Sequence, residues 1–95
     1  MHVTTLRVRL LHRQSQSLKN KRQLVRSIVD RLRSSFHVAC AEVGHLDDIK
    51  VIELGLAAVG AESEPLHGLM LKIQDALRGH PIAEYLSGEI GGVNS

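Results

Sequence analysis

Two segments of helical period, each set between stretches of period two, constrain this chain more than any other feature. From Val3 to Leu11 the apolar residues alternate, Leu6, Val8 and Leu10 pointing one way and Thr5, Arg7, Arg9 and Leu11 the other. That is a strand with one apolar face. From Leu18 to about Ser34, six residues (Leu18, Leu24, Val25, Ile28, Val29 and Leu32) gather on one side of a helix advancing about 100° per residue. Ser17 stands ahead of it with the hydroxyl of an N-cap. Phe36–Val43 and Lys50–Val59 return to strand character, joined by the turn residues Gly44-His45-Leu46-Asp47-Asp48. In the second of these strands Ile52, Leu54, Leu56 and Ala58 form a bulky side, and Glu53, Gly55 and Ala57 a small one. Ser63 offers a cap and Pro65 a first-turn proline for a second helix, along which Leu66, Leu69, Met70, Ile73 and Leu77 keep helical spacing. Gly79-His80-Pro81 stops it. Ile82–Ile90 reads as a last, weaker strand, and residues 91–95 as a flexible tail.

The order β-α-β-β-α-β, with crossovers of the usual right hand, places both helices on one face of a four-stranded antiparallel sheet. The predicted fold is an α+β sandwich of the ferredoxin-like kind. A length of 95 residues allows one such domain, residues 1–90, and no second. Cys40 is the only cysteine, so neither an internal disulfide nor the multi-cysteine half of a zinc site is available, and packing must hold the fold. The apolar runs are too short for a membrane span. No basic-then-apolar leader opens the chain, which points to the cytoplasm.

Charge is segregated along the sequence. Residues 1–35 hold nine Lys and Arg against Asp30 alone, and residues 36–95 hold three against nine acids. Such a division can steer a polyanion to one face or let two copies meet; a folded chain can also bring the halves together so that they neutralise each other.

The string Ser17-Leu18-Lys19-Asn20-Lys21-Arg22, then Val25-Arg26-Ser27-Ile28 and Asp30-Arg31-Leu32, resembles the YlxP-like family of short bacterial proteins, a domain of unknown function. Phe36-His37-Val38, Ala41-Glu42-Val43-Gly44-His45 and Glu53-Leu54-Gly55 extend the resemblance, which runs from Leu6 to about Ile90. It implies a ferredoxin-like fold and a cytoplasmic protein. Members are often encoded among transcription-elongation, translation-initiation and ribosome-maturation genes, which implies work near RNA or the ribosome. Two positions depart from the family pattern. Asn20 stands where Glu is usual, and Gly44 where Asp is usual.

On the first helix Lys19, Arg22, Arg26 and Arg33 share one flank beside the apolar side, with Arg7, Arg9 and Arg13 in the same half of the chain. These seven are the candidate phosphate contacts for RNA or a ribosomal particle. The competing reading is a solvated flank whose arginines pair with acids such as Asp30. Lys21 falls inside the apolar sector. Its stem can lie on the core rim with the ammonium in solvent, or the ammonium can reach an anion or Glu42. The open side of the sheet is expected to carry Arg7, Arg9, His37, Ala39, Ala41, Gly55 and Ala57 and no aromatic ring, which disfavours recognition by base stacking on aromatics. Ala39, Ala41, Val43, Gly55, Ala57 and Val59 make that side smooth enough to pack on a second copy as a homodimer.

Nothing in the sequence indicates a cofactor. His45, Asp47 and Asp48 are acceptable metal ligands but sit in a turn, where Asp is favoured for capping backbone N–H groups, so no metal site is assigned. The loop Arg13-Gln14-Ser15-Gln16-Ser17 lacks the glycines with which acylphosphatases of this fold bind phosphate. There is no nucleotide-binding loop or catalytic triad spacing. The expectation is a binding protein, not an enzyme: one that engages RNA or a ribosomal particle, with a dimeric protein-interaction scaffold without nucleic-acid binding as the alternative.

Overall fold

The alternation of the first strand decides which side of the sheet is covered. In the computed structural model, which describes residues 1–94, Leu6, Val8 and Leu10 are at most 1% exposed, and the residues between them face the other side. The elements are β1 (His2–Leu11), α1 (Leu18–Phe36), β2 (Ala39–Gly44), β3 (Val51–Gly60), α2 (Ser63–Arg78) and β4 (Glu84–Asn94). The strands form one antiparallel sheet in the order β2-β3-β1-β4. This is the βαββαβ ferredoxin-like α+β arrangement. Among the described residues, no helix is long and apolar enough to cross a membrane.

One core joins the layers. Leu24, Val25, Ile28, Val29 and Leu32 of α1 and Met70, Ile73 and Leu77 of α2 cluster with Leu6, Val8 and Leu10 of β1 and Ile52, Leu54 and Leu56 of β3. Register explains the match: Leu6 faces Leu56, Val8 faces Leu54 and Leu10 faces Ile52. Apolar residues therefore stand in rows across the central strands, the unit by which a sheet gains cross-strand contact.

The boundaries differ from the sequence reading in three places, each for a physical reason. Helix α1 carries through Phe36, whose ring returns to the apolar side and packs on the core, and His37 ends the helix in a left-handed conformation (φ 55°). The N–H of His37 donates to the carbonyl of Arg33 at 3.0 Å. His37 is thus a helix cap and not a residue of the open sheet face, and β2 begins only at Ala39. Helix α2 is preceded by Glu62 in extended conformation with no side-chain cap, so Ser63 is its first residue instead of its cap. Strand β4 includes Gly91, Gly92, Val93 and Asn94, which pair with Thr5, Thr4, Val3 and His2. Gly92 fits this register because a Cβ there would lie 2.5 Å from the carbonyl oxygen of Val3. Ser95, the end of the predicted tail, lies outside the described residues.

Candidate nucleic-acid interface

Helix α1 begins as its sequence predicts. The Ser17 hydroxyl oxygen accepts from the Asn20 N–H at 3.1 Å, and the Asn20 side-chain oxygen accepts from the Gln16 N–H at 3.2 Å. Asn20 therefore closes the turn from its own side, a shorter version of a capping box. Downstream, Lys19, Arg22 and Arg26 stand exposed on one flank, and among the described residues none of them makes an ion pair or side-chain hydrogen bond. Asp30 makes no ion pair with them either, so this flank remains electrostatically open.

The other four candidates have different surroundings. Arg33 continues the flank but reaches across to β2, where its Nη2 donates to the carbonyl of Cys40 at 2.7 Å. This covers a backbone acceptor on an edge strand, a position otherwise open to pairing with another chain. Arg9 donates through Nε to Glu53 Oε1 at 2.8 Å. That bond is the main cause that holds the Glu53 carboxyl below the usual carboxylate range, against the opposing effect of burial. Arg13 makes a two-pronged pair with Glu84, at 3.0 and 2.8 Å, beside the start of β4 and away from the flank. Arg7 lies in the middle of the open face, opposite Gly55 on β3 and Glu89 on β4, with no direct hydrogen bond to either. The seven predicted contacts thus divide into an open trio on α1, a pinned Arg33, an isolated Arg7 and two arginines committed to carboxylates.

Of the two outcomes open to Lys21, the structure shows the second: its ammonium turns inward, toward Glu42 and two carbonyls. The residue is fully buried, and its Nζ donates to the carbonyls of His45 at 2.6 Å and Val51 at 3.1 Å. Glu42 Oε2 stands 3.2 Å away as counter-charge. The ammonium bolts the first turn of α1 to both sides of the β2–β3 hairpin. In the same hairpin Asp48 Oδ1 accepts from the N–H groups of Lys50 and Val51, each at 2.8 Å, and those bonds hold its carboxyl low. His45 turns instead toward Glu53, with Nε2 3.7 Å from Oε1. Gly44 makes room for that carboxylate: a Cβ at this position would lie 2.5 Å from Glu53 Oε2.

The predicted dimer residues do share one surface. On the open face Ala39, Ala57, Thr5 and Gly91 form one row across the four strands, and Ala41, Gly55, Arg7 and Glu89 the next. Val43 sits in a bulge of β2 and folds over Gly55, where a Cβ would lie 2.9 Å from its methyl. Val59 and Val93 flank Val3 in a further row and are 65% and 66% exposed. The alanine rows floor a cavity of about 670 Å³ whose walls include Arg7 on the sheet and Arg33 from α1. Cys40, in the strand beneath, is buried, and burial pushes its thiol up to about 11, against the smaller opposing effect of Arg33. Periodicity indicated the flank and the smooth face. It gave no sign that Arg33 and Arg7 border one cavity, because that depends on an arginine bending around the edge of β2.

A family model described as "Protein of unknown function (DUF503)" matches residues 3–90. No curated protein matches the chain.

Proposed function

The chain belongs to the DUF503 family, and on that premise we propose a cytoplasmic, non-enzymatic binding protein that engages RNA or a ribosomal particle through the exposed flank of α1. One observation carries this reading: Lys19, Arg22 and Arg26 are aligned, exposed and without acidic partners. At 1.5 Å rise per residue, Lys19, Arg26 and Arg33 are spaced about 10 Å apart along the helix, a line of positive charge that a phosphate backbone can follow. The gene surroundings of YlxP-like proteins agree with it. Three or four phosphate contacts to a single strand give a slope of about −2 to −3 in log affinity against log salt. Titration of labelled ribosomal RNA at several salt concentrations, read by anisotropy, measures that slope. Arg22→Glu with Arg26→Glu is expected to abolish binding with the far-ultraviolet circular dichroism unchanged. Full binding by that folded variant refutes the assignment.

A second reading is a homodimer through the open face. It is favoured by the exposed Val59 and Val93 on either side of the half-buried Val3, and by Arg7 and Glu89, which face each other without bonding and are free to pair across a two-fold axis. Ala57→Asp is then expected to give monomers in light scattering, and an unchanged mass rejects that contact.

A further inference from the structure

We infer that the RNA is single-stranded and that one of its nucleotides seats in the cavity between Arg33 and Arg7; this rests on the RNA reading above. The cavity is where the basic flank of α1 meets one arginine of an otherwise charge-balanced sheet face. Arg33 belongs to the α1 flank, Arg7 to the opposite side of the sheet, and both line the same hollow around the edge of β2. A ligand that follows Lys19, Arg22 and Arg26 and then enters the hollow must turn around one edge strand, whose spacing from its neighbour is about 5 Å. A single strand can make that turn. A base-paired duplex, which resists bending over lengths far greater than one strand spacing, cannot, and lies on the helix flank alone.

The hollow also sorts the parts of a nucleotide. Its floor is made of Ala39, Ala41 and Ala57, methyl groups on which a planar base can lie flat. The hollow, about 670 Å³, is shallow and open to solvent, so a seated nucleotide keeps one side wet. Arg33 is pinned by its bond to the Cys40 carbonyl, which fixes its guanidinium and leaves other N–H groups to meet a phosphate. Arg7 has Glu89 opposite it and Glu53 within electrostatic range, so a phosphate is disfavoured there. The Arg33 end therefore takes the phosphate, and the Arg7 end takes the base, against the guanidinium plane. No aromatic ring is needed. Phe36 packs on the core, and Tyr85 is covered by Arg78 at 4.6 Å.

The test measures the affinity of the full chain, at one salt concentration, for three labelled RNAs with equal numbers of phosphates: an unstructured strand, a blunt duplex, and a duplex with one bulged nucleotide. The strand and the bulged duplex are expected to bind about fivefold more tightly than the blunt duplex, the low end of the gain from one stacked base, because an arginine plane stands in for an aromatic ring. Ala57→Leu fills the floor without changing charge and is expected to erase that preference while leaving the duplex affinity as it was. Ala41→Leu, at an exposed position in the next row, serves if Ala57→Leu does not fold. Equal affinity for strand and blunt duplex, with binding still lost in Arg22→Glu/Arg26→Glu, overturns this inference and leaves the RNA reading standing. So does a preference that survives filling of the floor, or a dimer that buries the face and is broken by Ala57→Asp. No binding to any of the three RNAs overturns both.

Discussion

Replacing Lys21 by Met keeps a long stem in the core and removes only the ammonium. Three groups lose their partner at once: the carbonyls of His45 and Val51 and the carboxylate of Glu42, whose side chain is 15% exposed. Removing one member of a buried ion pair typically costs about 3–5 kcal/mol, because the remaining charge stays desolvated and unpaired. Against a total stability of about 5–15 kcal/mol for a domain this size, that is a large fraction. At about 4–8 °C per kcal/mol, even the lower cost lowers the melting temperature by about 12–24 °C. Urea unfolding followed by far-ultraviolet circular dichroism is the suitable assay, since the chain has no Trp and a single Tyr. The double variant Lys21→Met/Glu42→Leu is expected to recover much of the loss, because it removes the orphaned charge as well. A Lys21→Met protein within about 1 kcal/mol of the parent refutes the reasoning, since such a value belongs to a side chain that is solvated in practice.

Three other outcomes follow from local geometry. His80 Nδ1 accepts from the N–H groups of Ile82 and Ala83, each at 3.0 Å, and burial, followed by the charge of Arg31, holds its pKa below the ordinary 6.5. The folded state thus binds the proton less readily than the unfolded chain; its contribution is complete above pH 6.5 and is lost as pH falls below it, so a pH series of melting temperatures declines there and declines less steeply in His80→Asn, the remainder belonging to His12, whose pKa burial also lowers. Cys40 is expected to resist a thiol reagent at pH 8 in the native protein and to react promptly in denaturant; rapid native labelling contradicts its burial. Gly44→Ala pushes a Cβ against the Glu53 carboxylate and loosens its bond to Arg9, at a cost of about 1–2 kcal/mol, and a shift of the Arg9 Nε–H resonance reports the break.

What the sequence discloses is whatever repeats with a period. The rows of Leu6, Val8 and Leu10 against Leu56, Leu54 and Ile52 were legible because both strands bury one side completely, and a slip of one residue exposes them all. Lys21 is legible in part: contact with Glu42 is one of its two readings, but its full burial against two carbonyls is not. A helical wheel places it inside the apolar sector but cannot tell whether two carbonyls of a distant hairpin wait there for its ammonium. The open trio on α1 was visible as a stripe, yet whether Asp30 would neutralise it depended on side-chain reach. The fates of Arg9, Arg13 and Arg33 were decided by partners far along the chain. The last turn of α1 is hidden because Phe36 has the propensity of a strand residue, and only its packing on the core draws it into the helix. The end of β4 was missed because glycines are poor strand formers, and here they are held by pairing with β1.

That pairing has a kinetic side. β1 is an inner strand, but one of its two neighbours is the last element of the fold, and His2 meets Asn94 across the pair. The β2–β3 hairpin and the β1–β3 ladder close shorter loops, and folding rates fall as the sequence separation of contacts grows. The sheet is therefore expected to assemble as β2-β3-β1, with β1 temporarily an edge and its backbone groups unpaired on one side. β4 arrives last and carries three glycines, Gly88, Gly91 and Gly92. A strand that closes the sheet last and carries these glycines is expected to leave it more easily than β3 does. Native-state hydrogen exchange should find β4 amides exchanging through a partial opening, while those shared by β1 and β3 wait for global unfolding. Each such opening bares the central strand for an instant, making it the point at which this chain is most vulnerable to pairing with another.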